Sequence, residues 1–253
     1  MQKPDITRLL TRGAAIVAIL VIWELLGRTG AVSPIILATP STILAAARTD
    51  GGLFLLAFRT TALEVIVAIA LAWGLGIVAG LLCGLSETSS RASGPILAAF
   101  FAIPLIVWYP LFVIWLGIGP ASKIIFGTAC GFFPVATSTL ASLSQVEANY
   151  VSFGRSIGLP RWQVFARIVL MLALPSIVAG LRVGTALIVA GIIFAEMLAS
   201  VGGLGFWISY NRTLFNTGHV YLGMLMALAC VMICNAGLGW IEAKLGAWRE
   251  QPQ

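Results

Sequence analysis

Residues 147–174 read EANYVSFGRSIGLPRWQVFARIVLMLAL, and this stretch decides how the rest of the chain is interpreted. It lies between two apolar runs and carries three arginines, Arg155, Arg161 and Arg167. Two consecutive membrane spans need only a short turn between them, whereas this segment is long, polar and basic. We therefore expect a structured segment outside the hydrocarbon core, at which a soluble partner docks.

The composition of the whole chain is that of an integral membrane protein. Of its 253 residues, 60% are hydrophobic and 9% are charged, and the mean hydropathy is +1.02. A soluble domain carries about 25% charged residues, so this chain cannot cover a water-facing surface. The net charge of +6 does not indicate nucleic-acid binding, because no strip of basic and aromatic residues interrupts the apolar runs.

Six apolar runs are long enough to cross a membrane as helices, which takes about 20 residues each. They are 13–32, 62–85, 95–118, 123–143, 177–200 and 220–241. The first run lacks a small-residue cleavage site and five further spans follow it, so we expect it to remain as a helix. No linker divides the chain, which predicts one all-α membrane domain over residues 1–253, with a long loop at 144–176.

The distribution of basic residues predicts the orientation of these spans. With the amino terminus inside, ten of the 15 basic residues fall on the cytoplasmic side and five on the outer side. The outer five are Arg28, Arg48, Arg59, Lys123 and Arg212. Because Lys and Arg accumulate in cytoplasmic loops, both termini and the loop 144–176 are predicted to be cytoplasmic.

Two short helices are expected within the loop 144–176. Asn149 or Ser152 can start the first helix and Gly158 can end it, and Pro160 with Arg161 can open the second. Three apolar residues then recur at helical spacing, namely Trp162, Phe165 and Ile168. This amphipathic helix is interpreted either as a surface anchor on anionic lipid or as an element that fits a groove on a soluble partner.

The second predicted span carries a signal for close helix packing. Gly76, Gly80 and Gly84 recur every four residues, which places three small residues on one stripe where a neighbouring backbone can approach.

The outer loop is predicted to contain a short helix over residues 43–47, lying along the membrane interface. Pro40 favours an extended entry, and Ser41 or Thr42 can cap the helix.

Proline residues predict a break in the third span. Pro104 and Pro110 lie within seven residues of one run, and each removes a backbone hydrogen bond from a helix. The run is interpreted either as a segment beside a translocation path or as a kinked packing helix.

Glu196 in the fifth span has two interpretations as well. Its carboxylate reaches toward the outer interface, or it takes part in a gate or a substrate site.

The sequence gives no support for catalysis or metal binding. None of its lysines, Lys3, Lys123 and Lys244, stands in the phosphate-binding pattern G-x-x-x-x-G-K-[ST], so the chain alone is not expected to hydrolyse nucleotide. Cys230 and Cys234 share a helix face but have no nearby histidine or carboxylate, which favours packing over a metal site.

The chain resembles the permease subunits of binding-protein-dependent ABC importers, in particular the nitrate, sulfonate, taurine and bicarbonate group. The resemblance rests on an ordered set of motifs: Thr39-Pro40-Ser41, the P-x-x-x-x-Y-P-L-F-x-x-W-x-G-x-G pattern of Pro104 to Gly119, Ala195-Glu196-Met197-Leu198, and Gly203-Leu204-Gly205-Phe206. Each motif alone is weak, but together they cover most of the chain from about residue 39 onward, in the family's order.

The loop motif of this group is only partly kept. The family has Glu-Ala-Ala, then a glycine, then Ile-x-Leu-Pro. This chain keeps Gly158, Ile168 and Leu170, but has Ser152-Phe153-Gly154 in place of Glu-Ala-Ala and Met171 in place of the proline. Pro175 matches a second proline that is common in the group. Without the acidic residue, docking is expected to depend on Phe153, Arg161, Trp162 and Phe165.

The resemblance implies a six-span permease of the type I ABC importer fold in a bacterial inner membrane. The implied partners are a second copy of the chain, two cytoplasmic subunits that bind ATP and magnesium, and an extracytoplasmic solute-binding protein. ATPase coupling is placed on Ser152, Phe153, Gly154, Gly158, Arg161, Trp162, Phe165 and Ile168. The translocation path is placed near Pro104, Trp108, Tyr109 and Glu196, for a sulfonate, a nitrate-like oxyanion or an organic carboxylate.

Two other classes of protein are compared with this interpretation. An ATP-independent channel or secondary carrier would more often show an internal repeat or charged residues at mid-membrane. A membrane enzyme would need clustered polar residues at one interface, and the sequence shows none. We therefore expect a non-catalytic transport subunit with no cofactor of its own.

Overall fold

The computed structural model describes residues 6–246, with side chains for residue 11 and residues 13–240. Within this range the chain forms helices and connecting turns, and no β-strand. The helices are α1 (Ile6–Arg28), α2 (Pro40–Thr49), α3 (Gly51–Gly84), α4 (Glu87–Ala102), α5 (Tyr109–Leu116), α6 (Pro120–Ser144), α7 (Ala148–Ser156), α8 (Arg161–Val164), α9 (Leu170–Leu198), α10 (Leu204–Thr213) and α11 (Thr217–Gly246).

Four helical stretches are long and apolar enough to cross a membrane within the described residues: Gly51–Gly84, Pro120–Ser144, Arg161–Leu198 and Thr217–Trp240. A fifth crossing results if α4 and the stretch Leu105–Leu116, which are bent by 74°, are taken as one broken span. The four long helices cover the second, fourth, fifth and sixth predicted spans. The predicted count of six spans remains an expectation. The first predicted span, 13–32, falls on α1, and the side chains at the start of this helix are outside the described residues.

The third predicted span is broken, as its prolines suggested. Helix α4 ends at Ala102, and Ile103 and Pro104 are extended. A short 3₁₀ turn, Leu105–Trp108, then leads into α5. The break follows from the chemistry of proline, which disfavours helical backbone at the residue before it.

The centre of the molecule is made by α3, α6 and α9, with α6 packed against both neighbours. The predicted glycine stripe on α3 is confirmed as a packing surface. A Cβ atom on Gly76 would lie 2.8 Å from the Val135 side chain, and one on Gly80 would lie 2.7 Å from the Ala136 carbonyl oxygen. Only hydrogen at these positions lets the two helix backbones approach so closely.

The short outer helix α2 begins earlier and is capped differently from the prediction. The Thr39 hydroxyl, not Ser41 or Thr42, accepts the capping hydrogen bond, from the Thr42 N–H at 3.2 Å. Pro40 occupies the first turn, where its missing N–H is of no consequence. Ile43 is buried in a core cluster with Leu204 at the start of α10 and Leu222 near the start of α11, so α2 is part of the packed structure.

The fifth span starts well before the predicted residue 177. One helical stretch runs from Arg161 to Leu198, through a π-helical turn at Phe165–Val169, and contains Pro175. The second half of the predicted loop 144–176 is therefore helical and continuous with the helix of the fifth span. The extra residue of the π turn rotates the short α8 relative to α9, and such turns often occur at functional positions.

Candidate functional sites

Two short elements join α6 to the long helix that contains α9. Helix α7 covers nine residues and ends before Gly158, which has φ +81° and terminates it as predicted. Pro160, in extended backbone, then precedes α8, and its carbonyl oxygen accepts hydrogen bonds from Gln163 and Val164. The two predicted helices of this segment are confirmed.

One face of these two helices is apolar and exposed. Phe153, Ile157 and Trp162 expose 62%, 58% and 65% of their surface, and Tyr150 exposes 49%. On α7 the exposed side chains lie at positions i, i+3 and i+7, which is one helix face. We call Tyr150, Phe153, Ile157 and Trp162 the docking face.

The other predicted coupling residues differ in exposure: Gly154 is buried, Phe165 and Ile168 are half-buried, and Ser152, Gly158 and Arg161 are exposed. Gly154 is buried, and a Cβ there would lie 2.6 Å from the Ile168 side chain. Phe165 packs against the core between α6 and α9. Phe165 and Ile168 were expected to project with Trp162; Trp162 is exposed, whereas Phe165 and Ile168 are half-buried.

A cluster of buried charges joins three spanning helices. Lys123 on α6 lies with its Nζ atom 2.5 Å from Glu64 Oε1 on α3 and 3.9 Å from Glu196 Oε1 on α9. All three side chains are at least nine-tenths buried. We call Lys123, Glu64 and Glu196 the buried triad. Charged groups removed from water in this way are costly unless they are paired and hydrogen-bonded.

Glu196 also holds the start of α10. Its Oε2 atom accepts a hydrogen bond from the Gly205 N–H at 2.7 Å, and its carboxylate accepts one from the Thr61 hydroxyl at 2.7 Å. The Thr61 hydroxyl in turn accepts the Leu204 N–H at 2.8 Å. A carboxylate at a helix amino terminus is favoured by the unpaired N–H groups there. Glu196 is thus buried among neighbouring helices, two residues before α9 ends, and both interpretations of its role remain predictions.

The turn before α10 fits closely around this carboxylate. Gly203 has φ +101°, and a Cβ atom there would overlap the carboxylate of Glu196. On the other side of the triad, Lys123 donates to the Ser200 hydroxyl at 3.3 Å, and Tyr109 donates to the Ala199 carbonyl at 3.1 Å. The turn 199–203 is therefore held by α5 and α6 as well as by α9.

Sequence reasoning missed Glu64, Lys123 and Thr61. The available signal was that Glu64 and Lys123 lie inside predicted spans and that both, like Glu196, fall near the same side of the predicted topology. Opposite charges inside a membrane at one depth tend to pair, so this pattern could have indicated a contact.

The four residues predicted to lie near a translocation path do not form one site. Pro104 and Trp108 are exposed at the break between α4 and α5, whereas Tyr109 and Glu196 are buried. A cavity of about 260 Å³ lies next to the break, but its lining is apolar and includes none of the four. It is bounded by Phe101, Ile106, Leu187 and Phe194, among others.

Metal binding finds no support in the described part of the chain, which contains no group of three or more His, Cys, Asp or Glu side chains that could hold an ion. Cys230 is buried in the apolar core formed by α3, α9 and α11, and Cys234 packs beside it.

The described residues form an all-helical structure with at least four helices that are long and apolar enough to cross a membrane, which defines the class of α-helical integral membrane proteins. The sequence profile described as "Binding-protein-dependent transport system inner membrane component" matches residues 76–248. The chain belongs to this family and is a permease subunit of an ABC importer.

Two relatives and one solved structure illustrate the likeness. The chain is 29% identical over 242 residues to the taurine transport system permease protein TauC of Escherichia coli, covering 93% of this chain and 88% of TauC. It is 31% identical over 182 residues to the nitrate import permease protein NrtB of Synechocystis sp., covering 70% and 66%. An inward-facing structure of the MetNI methionine ABC transporter superposes with a TM-score of 0.65 at 18% identity, covering 76% of this chain and 96% of that chain, which establishes the shared fold.

Proposed function

We propose that this subunit forms the translocation pathway for a small anionic solute and receives its energy from a separate cytoplasmic ATPase that docks on α7 and α8. The observation that carries this proposal is the docking face, four large apolar side chains exposed on α7, directly after it and at the start of α8. Exposed apolar patches of this kind mark interaction sites.

The geometry of the docking face favours a protein groove as its partner. Phe153 and Ile157 stand on one side of α7, with Tyr150 one turn before Phe153, which is the pattern of a helix that inserts its apolar face into a groove. Arg161 adjoins this face and supplies positive charge to a partner. Buried Gly154 and half-buried Phe165 and Ile168 contribute by fixing α7 and α8 against the spanning helices.

The assembly follows from the family. The proposed complex contains two copies of this chain, two ATPase subunits that bind ATP and magnesium, and an extracytoplasmic binding protein that delivers the solute. Both termini, α7 and α8 lie on the cytoplasmic side of a bacterial inner membrane. The pathway runs along the two-fold axis, near Pro104 and Trp108, with Tyr109 and Glu196 fixing the adjoining turn.

The solute class is supported by the relatives rather than by a polar pocket. TauC is named for taurine, which carries a sulfonate group, and NrtB is named for nitrate, which is an oxyanion. We therefore propose a sulfonate, a nitrate-like oxyanion or an organic carboxylate as cargo. The apolar lining of the cavity at the break indicates that the binding protein sets most of the selectivity.

A reconstituted complex tests this proposal. Phe153→Ala combined with Ile157→Ala should leave assembly of the membrane subunit intact but uncouple ATPase activity from solute uptake, because both side chains point away from the core. Ile233→Ala is the matched control, since Ile233 exposes 64% of its surface on a spanning helix away from α7. Unchanged coupling in the double variant would contradict the proposed docking, and full uptake without any ATPase would indicate a channel or carrier.

A further inference from the structure

A groove of about 620 Å³ opens where the ends of α3 and α6 meet α7 and α8. Its floor is apolar and is formed by Leu85 after α3, Leu143 of α6 and Val146 after α6. Arg155, Arg161 and Trp162 stand around it. Because α3 and α6 are spanning helices that end here, the groove lies at the boundary between hydrocarbon and water.

The groove and the docking face use different sides of α7. Val151 and Arg155, four residues apart, line the groove. Tyr150, Phe153 and Ile157 do not line it, and they project from another side of the same helix. A protein bound to Tyr150, Phe153 and Ile157 therefore leaves the inner side of α7 available to a second ligand, and Trp162 on α8 is the one residue that belongs to both surfaces.

The charge of the groove is positive. Arg155 and Arg161 are both exposed, and no carboxylate is among the lining residues. Among the described side chains, those of residues 11 and 13–240, neither arginine forms an ion pair with Asp or Glu. By contrast, Arg91 on α4 is paired with Glu87 at 2.6 Å. The guanidinium groups of Arg155 and Arg161 can therefore donate hydrogen bonds to an anion beside an apolar floor.

We propose that this groove binds an anionic phospholipid, with its phosphate between Arg155 and Arg161 and the upper part of its acyl chains on the apolar floor. Guanidinium groups pair with phosphate through several directed hydrogen bonds, and basic residues next to spanning helices attract acidic lipids. Trp162 fits this assignment because its amphipathic ring suits the headgroup level of a membrane. A phospholipid matches both the two arginines and the apolar floor of the groove, whereas a soluble phosphate would pair with the arginines and leave the apolar floor exposed.

Native mass spectrometry of the full chain in an uncharged detergent tests the proposal. Equimolar phosphatidylglycerol and phosphatidylcholine with identical acyl chains are added, and the ratio of the two adducts is measured. The wild-type chain should retain phosphatidylglycerol preferentially. Each arginine should account for about a fivefold preference, so Arg155→Gln with Arg161→Gln should reduce the ratio about 25-fold.

Two further variants keep the test interpretable. Arg167→Gln removes an exposed arginine of the same segment that does not line the groove, and it should keep the wild-type ratio. Arg155→Lys with Arg161→Lys keeps the charge and should keep most of the preference for phosphatidylglycerol. That result would show that the reduced ratio of the double glutamine variant comes from the lost charge and not from loss of fold.

Several results would overturn the proposal. Equal retention of the two lipids by the wild-type chain would refute it, as would an equal loss in Arg167→Gln. Displacement of phosphatidylglycerol by excess inorganic phosphate would assign the arginines to a free anion, and displacement by the purified ATPase would assign the groove to a protein. The assay needs neither transport nor a known orientation, so its outcome is separate from that of the coupling test on Phe153 and Ile157.

Discussion

Replacing Lys123 by methionine is the most informative perturbation of this fold. The substitution keeps the length of the side chain but removes the only cation of the buried triad, leaving the carboxylates of Glu64 and Glu196 without their ammonium partner. Removing one member of a buried ion pair costs about 3–5 kcal/mol, because the remaining charge stays buried without compensation. The unfolding equilibrium should shift by roughly a hundredfold to a few thousandfold, at about 1.4 kcal/mol per tenfold.

Unfolding in mixed micelles at increasing denaturing detergent, followed by circular dichroism, measures this free energy. The double variant Lys123→Met/Glu64→Gln should recover part of the loss, since Glu196 keeps its hydrogen bonds to Thr61 and Gly205. A double-mutant cycle should then give a coupling energy of about 0.5–3 kcal/mol between Lys123 and Glu64.

Arg91→Met is the matched control for this experiment. Arg91 also pairs with a glutamate, Glu87, but both side chains are about four-fifths exposed. An exposed pair of this kind contributes about 0–1 kcal/mol, so the control should stay close to wild type. The reasoning would be refuted if Lys123→Met were as mild as the control, or if the effects of Lys123→Met and Glu64→Gln were simply additive.

Two further predictions concern close packing and the hydroxyl next to the triad. Gly80→Ala should destabilise the fold by about 1–3 kcal/mol, because its Cβ would lie 2.7 Å from the Ala136 carbonyl oxygen, whereas Gly74→Ala, with nothing within 4 Å, should be neutral or stabilising in the same unfolding assay. A destabilised Gly74 variant would contradict this account. Thr61→Val should lower the free energy of unfolding by about 1–3 kcal/mol, because it removes a buried donor to Glu196, and Thr61→Ser should retain stability. Equal effects of valine and serine would show that the hydroxyl is not what matters.

Hydropathy and local signals predicted the parts of the fold that depend on neighbouring residues. The apolar runs located the long helices, Pro104 predicted the break, and Gly158 predicted the end of α7. The glycine stripe on α3 was predicted as a packing surface, although not that α6 is its partner. These features are local because they follow from backbone chemistry and helical periodicity.

Contacts between distant helices could not be predicted in the same way. Glu64, Lys123 and Glu196 lie on three helices, and nothing in the chain around each residue specifies which charges meet. Phe165 was misplaced for a related reason. Its side chain is half-buried against the core between α6 and α9, and the helical period around Phe165 does not specify that contact.

The stretch from Arg161 to Leu198 is a single helical rod of 38 residues, about 57 Å long at 1.5 Å per residue. The exposed residue Trp162 lies in the first turn of this stretch, and Glu196 lies in its last turn. If such a rod pivots at its middle by about 5°, each end moves by about 2.5 Å, which follows from half of its length. That displacement is comparable to the length of one hydrogen bond. A displacement of the end near Trp162 would thus be large enough to break or form hydrogen bonds at the other end, such as those of Glu196 with Thr61 and Gly205.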